Sequence, residues 1–179
     1  MNQMKSPQEE KKIQVADSSA YPIIQVTEPN GKYARMLKVD LASSKSELTS
    51  ILQYQYQSWI LGEKFSEIAL TMHRIALVEM HHLDIFARLI VLLGGDPEYS
   101  GVYRNRVYRW SSDMISYQKR VTNIMKTNLV MERGAIDFYE KQCQVIKDPH
   151  IVAILQRIIL DEKIHIKIFE KFLREKSFD

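Results

Sequence analysis

The sequence predicts an all-α fold, an antiparallel four-helix bundle built from two helical hairpins and a long crossover. Three observations lead there. Apolar residues recur at steps of three and four along four separate segments. Short breaks at Gly62 and at Lys147-Asp148-Pro149 divide those segments into two pairs. Residues 95–111, "GDPEYSGVYRNRVYRWS", make a connection too long for a tight hairpin, which suits a crossover along a bundle.

The elements follow in order. Residues 1–42 read as an N-terminal arm. Its first twenty residues are polar and expected to fray, and "YPIIQVTEPNGKYARML" follows as irregular or partly extended chain. Pro22, Pro29 and the Asn30-Gly31 turn signal argue against a long helix there. The bundle domain spans 43–176. Its first helix is expected over 43–61, with Ser44 and Glu47 spaced as a capping box and Gly62 as the breaker. The second, 64–94, has the stripe Ile68, Met72, Ile75, Glu79, His82, Phe86, Leu89, Leu93 and stops at Gly94-Gly95-Asp96-Pro97. The third, 112–146, turns Val121, Met125, Asn128, Glu132, Ala135, Tyr139, Gln142 and Ile146 inward. Pro149 suits the first position of the fourth, 149–175, whose stripe is Ile151, Ile154, Ile158, Glu162, His165, Phe169, Phe172.

Composition narrows the function. A chain of 179 residues with 45% hydrophobic content suits one domain with a sizeable core. The 25 basic and 22 acidic residues are interspersed, and a net charge of +3 is no nucleic-acid footprint. Arg104, Arg106 and Arg109 in the crossover read as a solvated or subunit-contacting surface. Cys143 is the only cysteine, which excludes an intrachain disulfide and cysteine-based zinc or iron–sulfur sites. It reads as an inert helix residue. With no apolar leader and no run of about 18 apolar residues, no membrane role is expected, and the cytoplasm is the expected location.

Two Glu-x-x-His words lie on the inward stripes, Glu79-Met80-His81-His82 and Glu162-Lys163-Ile164-His165. Spacing of three puts glutamate and histidine on one helix face. His81, one residue off, points about 100° away and belongs at a boundary or subunit interface. Each hairpin adds a lone glutamate. Glu47 and Glu79 stand equally far from Glu63 at the first turn, and Glu132 and Glu162 equally far from Lys147 at the second. Folding each hairpin about its turn brings its two carboxylates level. Four carboxylates and two imidazoles thus converge in a low-dielectric core, which is strongly unfavourable unless protons or cations neutralise them. Two divalent cations supply the missing charge, and oxygen and imidazole donors without thiolate favour iron or manganese. Glu79 and Glu162 are expected to bridge, Glu47 and Glu132 to be terminal, and His82 and His165 to bind one ion each. Tyr54 and Tyr139, two turns after Glu47 and Glu132, are candidates to hydrogen-bond a bridging carboxylate. Asp161 or Gln142 is the candidate acceptor for a histidine N–H.

At these residues the sequence resembles the rubrerythrin and bacterioferritin branch of the ferritin-like superfamily. The resemblance spans residues 43 to about 175 and rests on Glu47 with Tyr54, "EMHH" followed by "LLGGDP", Glu132, and "DEKIH". It implies two iron ions, or alternatively two manganese ions, in a carboxylate-bridged centre that meets peroxide or dioxygen. Departures are visible. The chain has no Cys-x-x-Cys pair for a rubredoxin domain, so a peroxidase would need an external electron donor. Ala135 stands where rubrerythrins typically have a further glutamate. Glu162 supplies a residue that manganese catalases usually lack. Met80 sits where bacterioferritin-like proteins often ligate haem, but an ordinary core or interface methionine is the preferred reading. The first 42 residues have no counterpart at a bacterioferritin N-terminus. The expected function is rubrerythrin-like reduction of hydrogen peroxide. Alternatives are ferroxidase or manganese-catalase activity at the same ligands, iron storage in an oligomeric shell, or a metal-free bundle acting through its surface. A homo-oligomer is expected.

Overall fold

A computed structural model describes residues 13–103 and 106–175. Its core is the four-helix bundle. Helix α1 (Gly31–Leu41) precedes it. The bundle comprises α2 (Glu47–Leu61), α3 (Ser66–Leu92), α4 (Val121–Val145) and α5 (Pro149–Arg174), and the crossover holds strands β1 (Ser100–Tyr103) and β2 (Arg106–Arg109). α2 packs chiefly on α3 and α4 on α5, giving the two expected hairpins. Every inward-stripe residue named above for the last three bundle helices is buried except Ala135, which is half-buried. No helix among the described residues is long and apolar enough to cross a membrane.

The helix ends follow local chemistry. α2 starts at Glu47 rather than residue 43, because Ser46 is the N-cap and its hydroxyl accepts from Thr49 N. Glu47 is therefore the first helical residue and no capping-box partner, which frees its carboxylate to point inward. The short turn Glu63–Phe65 delays α3 to Ser66. Gly94 closes the end of α3 at φ +80°, a left-handed conformation that glycine adopts without strain. α4 begins nine residues later than expected. Residues 112–120 instead form a single 3₁₀ turn and extended chain, pinned to α2 by Trp110 Nε1 donating to Thr49 Oγ1 (2.8 Å) and Ser116 N donating to Gln53 Oε1 (2.8 Å).

The arm differs most from expectation. Gly31–Leu41 of it form helix α1, because Asn30 acts as an N-cap whose side chain accepts from Lys32 N and Tyr33 N. The turn signal Asn30-Gly31 opens a helix here. Leu37 and Leu41 are fully buried against α3 and α5. Residues 13–30 have no regular structure but do not fray, and Val15 is buried. The first twelve residues of the arm lie outside the described residues. The crossover is likewise more regular than expected, with Gly101 paired to Tyr108 and Val102 to Val107 in an antiparallel ladder. Arg106 and Arg109 are exposed there, and Arg104 lies outside the described residues. Cys143 is half-buried, and burial pushes its thiol up, away from reactivity.

Candidate metal centre

α3 and α5 each turn one Glu-x-x-His word into the core, and α2 and α4 each add one glutamate. Glu47, Glu79, His82, Glu132, Glu162 and His165 are all at most 2% exposed. They form two groups, Glu47-Glu79-His82-Glu162 and Glu79-Glu132-Glu162-His165. Within each group, one ligand atom per residue lies within 4.8 Å of the others. Glu79 and Glu162 belong to both groups. His81 is exposed, stacked edge-on against Tyr21 at 4.6 Å between ring centres. Met80 is 52% exposed on the outside of α3.

Both imidazoles present Nδ1 to the carboxylates. His82 Nδ1 lies 3.2 Å from Glu79, 3.4 Å from Glu162 and 3.7 Å from Glu47. His165 Nδ1 lies 3.0 Å from both Glu79 and Glu162 and 3.5 Å from Glu132. The Nε2 atoms are held from the opposite side. His82 Nε2 is 3.1 Å from Asp161 Oδ2 and 3.0 Å from the Tyr21 hydroxyl. His165 Nε2 is 2.9 Å from the backbone carbonyl of Val15. An Nε2–H donated outward leaves Nδ1 with its lone pair facing the carboxylates, the form that binds a metal.

Asp161 is thus one acceptor the sequence foresaw. It also takes hydrogen bonds from the Tyr21 hydroxyl and from Asp17 N (2.6 Å), and Arg157 Nη1 lies 2.8 Å from its Oδ1. Gln142 does not serve a histidine; it donates to Asp40 Oδ2 at 2.8 Å. The tyrosines cross between hairpins. Tyr54 on α2 donates to Glu132 Oε1 (2.6 Å), and Tyr139 on α4 donates to Glu47 Oε1. Their partners are the two glutamates expected to be terminal, not the bridging pair. Seven residues of helix carry each hydroxyl past its own glutamate to the facing helix.

Sequence reasoning missed Val15, Tyr21, Arg157 and Asp40. Arg157 was the most findable, since it stands one turn before Asp161 on α5 and both are nearly fully buried. Val15 and Tyr21 sit on irregular chain, where no periodicity marks a direction.

Electrostatics test whether these residues suit a metal pair. Burial, then the charges of Glu162, Glu132 and Glu47, push Glu79 well above the ordinary carboxylate range. Burial and Glu162 push Glu132 up to about 7. Burial opposes ionisation of Glu162 as well, but hydrogen bonds from His165 and His82 outweigh it and hold this carboxyl at about 2. Burial would lower both histidines, yet the surrounding carboxylates raise them well above the ordinary imidazole value. Glu79 Oε1 is buried without a hydrogen bond, because its 3.0 Å approach to His165 Nδ1 lacks hydrogen-bond geometry. An under-satisfied, over-charged, thiol-free set of oxygen and imidazole donors fits two divalent cations.

Comparison with known proteins agrees. The family model for rubrerythrin matches residues 41–173, most of the chain. The chain belongs to the rubrerythrin family. This rubrerythrin-family chain is 26% identical over 141 residues to a bacterioferritin of Desulfovibrio desulfuricans, covering 76% of this chain and 73% of that one. It is also 26% identical over 129 residues to a bacterioferritin of Streptomyces coelicolor, covering 70% and 71%. In structure it is similar to a manganese catalase from Anabaena, with a TM-score of 0.80 and 20% identity over 90% of this chain and 80% of that chain. The Desulfovibrio desulfuricans bacterioferritin, described with its diiron site in different catalytic states, gives a TM-score of 0.68 at 26% identity over 80% and 79%. The fold is the ferritin-like four-helix bundle.

Proposed function

We propose that this rubrerythrin-family protein is an oxidoreductase that reduces hydrogen peroxide at a pair of metal ions. Those ions are two irons, or alternatively two manganese ions, per chain. The observation that supports a pair is the sharing of Glu79 and Glu162 between two otherwise separate ligand groups. In this reading all six residues would hold the ions, with Glu79 and Glu162 shared between the two, Glu47 and Glu132 terminal, and His82 and His165 serving one ion each. When bound, the pair supplies two electrons and Lewis acidity to the O–O bond of peroxide. The remaining work belongs to the chain. Asp161 and Tyr21 fix the His82 ring, and the Val15 carbonyl fixes His165. Tyr54 and Tyr139 hold the terminal carboxylates in place. Ligands at most 2% exposed keep bulk water from the centre, and the oxidant in this reading is a small one, peroxide or dioxygen. In this reading the electrons come from an external donor.

Elemental analysis after anaerobic iron loading tests the centre, with two metals per chain expected; fewer than one would overturn it. Peroxide assays then test the reaction, and consumption of reductant without oxygen release is the expected result. The likeness to a manganese catalase over 90% of this chain supports disproportionation of peroxide as a second reading. Oxygen evolved without any reductant would select it. Elution as a very large iron-filled particle would select storage, in keeping with the bacterioferritin relatives.

A further inference from the structure

Outside the six ligands, the core holds another buried carboxyl. Asp40 on α1 is 1% exposed, and its Oδ2 accepts from Gln142 Nε2. Its Oδ1 has no hydrogen-bond partner. Neither has Oε1 of Gln142, itself 2% exposed, nor the buried hydroxyl of Tyr108 on β2. A buried polar atom without a partner is costly, so three of them call for an explanation. They belong to one neighbourhood. Gln142 is bonded to Asp40 and stands one turn from Tyr139 on α4, the Asp40 carboxyl influences Tyr108 and Tyr139, and the Glu47 charge acts on Asp40. Tyr108 also lines a groove of about 1140 Å³, shared with Val39 and Ser43, with the basic side chains Lys45, Arg106 and Lys141, and with Phe138. The hydroxyl reaches inward because its ladder partner is Gly101. A Cβ there would fall 2.6 Å from the tyrosine Cζ.

We propose that Asp40 is a proton carrier for the metal centre, taking protons from the groove through the Tyr108 hydroxyl and water and passing them toward Glu47 and Tyr139. Gln142 fixes the carboxyl while leaving Oδ1 free for the exchange. The inference rests on the peroxide-reducing reading. Reduction of one peroxide to two waters breaks the O–O bond with two electrons from the external donor and consumes two protons. A site whose ligands are sealed from solvent must import those protons along polar side chains. Asp40 makes no hydrogen bond or ion pair with any of the six ligands, so it is free to hold a proton while they hold metal. Burial, only partly offset by the Gln142 hydrogen bond and reinforced by the Glu47 charge, holds the Asp40 carboxyl well above the usual carboxylate range. That favours the protonated acid which the proposal requires.

The test uses the full chain loaded with manganese(II), in which the ligand carboxylates are ionised. Infrared spectra at neutral pH should show a carboxylic-acid C=O band that D40N removes. Its hydrogen–deuterium exchange should be slower in Y108F. D40N is expected to keep two metals per chain yet lower peroxide turnover at least about tenfold, with an enlarged solvent deuterium isotope effect. D40E should restore most of the rate. Absence of the band, or D40N turnover within about twofold of wild type at equal metal content, overturns the proposal. If D40N fails to load metal, Y108F decides: slowed exchange supports the path and unchanged exchange overturns it. If the wild-type protein reduces no peroxide, the peroxide reading fails by itself, while the infrared band and its exchange still decide whether Asp40 holds and passes a proton.

Discussion

Single atoms decide how firmly the candidate centre is held. The hydroxyls of Tyr54 and Tyr139 each satisfy one oxygen of a buried glutamate from the opposite hairpin. Tyr54→Phe and Tyr139→Phe are each expected to weaken metal binding roughly ten- to hundredfold, measured by competition titration with a chelator. Unchanged affinity and turnover would remove both tyrosines from the site. Asp161 calls for a gentler substitution. Asp161→Ala would leave the buried Arg157 guanidinium, 6% exposed, without its carboxylate, with the Ser19 and Asp17 carbonyls as its remaining acceptors. Asp161→Asn can keep an oxygen toward His82 Nε2 and Tyr21 while it removes the charge, at the cost of an amide nitrogen facing the donors Asp17 N and Arg157 Nη1. Hydrogen bonds from His82, Tyr21 and Arg157 overcome burial and hold Asp161 far below the ordinary range, so it is charged at any working pH. The asparagine variant is expected to bind one of two metals more weakly by about tenfold or more, seen as a split between two titration steps. These atoms were half legible in the sequence. Helical phase marks Asp161 as neighbour to Glu162, but the tyrosine partners needed the facing helix, which only the fold supplies.

At the scale of elements, α1 and the extended arm turn a plain bundle into a closed one. α1 lies where the end of α3 meets the start of the crossover, and Gly95 is the point of closest approach. A Cβ there would meet Ala34 Cβ at 2.8 Å and Ile90 Cγ2 at 3.0 Å. Gly95→Ala is therefore expected to destabilise the protein by about 1–3 kcal/mol through overpacking, read as a lowered midpoint in urea. A midpoint equal to wild type would mean that α1 moves aside at no cost. The helical stripes of the bundle were legible because their period is long and unbroken. α1 was not, since its eleven residues follow two prolines and open on a turn dipeptide. The same local signal, Asn-Gly, serves a turn or a helix start, and the burial of Leu37 and Leu41 decides between them. The crossover hairpin escaped notice because its strands are four residues each, too short for alternation to stand out.

The whole molecule balances its charge cluster against its apolar core. In metal-free protein, Glu132 titrates at about 7, above its unfolded value, so the folded state loses stability as pH rises from the ordinary carboxylate range to that point. Glu79, raised more strongly, acts in the same direction. The raised histidines add stability that is present below the ordinary imidazole value and lost as pH rises through their folded values. Glu162 works the other way, but only as pH falls toward about 2. Metal-free protein is thus expected to melt at a higher temperature in mildly acidic than in mildly alkaline buffer. Bound metal should reverse the order, because cations bind the ionised ligands. The outer faces carry a different expectation. Leu70, Leu77 and Val91 recur at multiples of seven on α3, and Leu52 and Trp59 lie seven apart on α2, all at least 38% exposed. A homo-oligomer built on these faces is expected, with light scattering giving a multiple of 21.0 kDa and Leu77→Lys shifting it toward the monomer.

The two imidazoles occupy matching places in a nearly duplicated frame, yet their tethers are unlike. One leans on an ionised side chain braced by an arginine, the other on the neutral main-chain carbonyl of Val15. The first tether makes its ring the stronger electron donor; the second ties its ring's posture to the seating of a strap without regular structure. If the six ligands hold two ions, His82 and His165 would therefore bind them as electronically unequal donors.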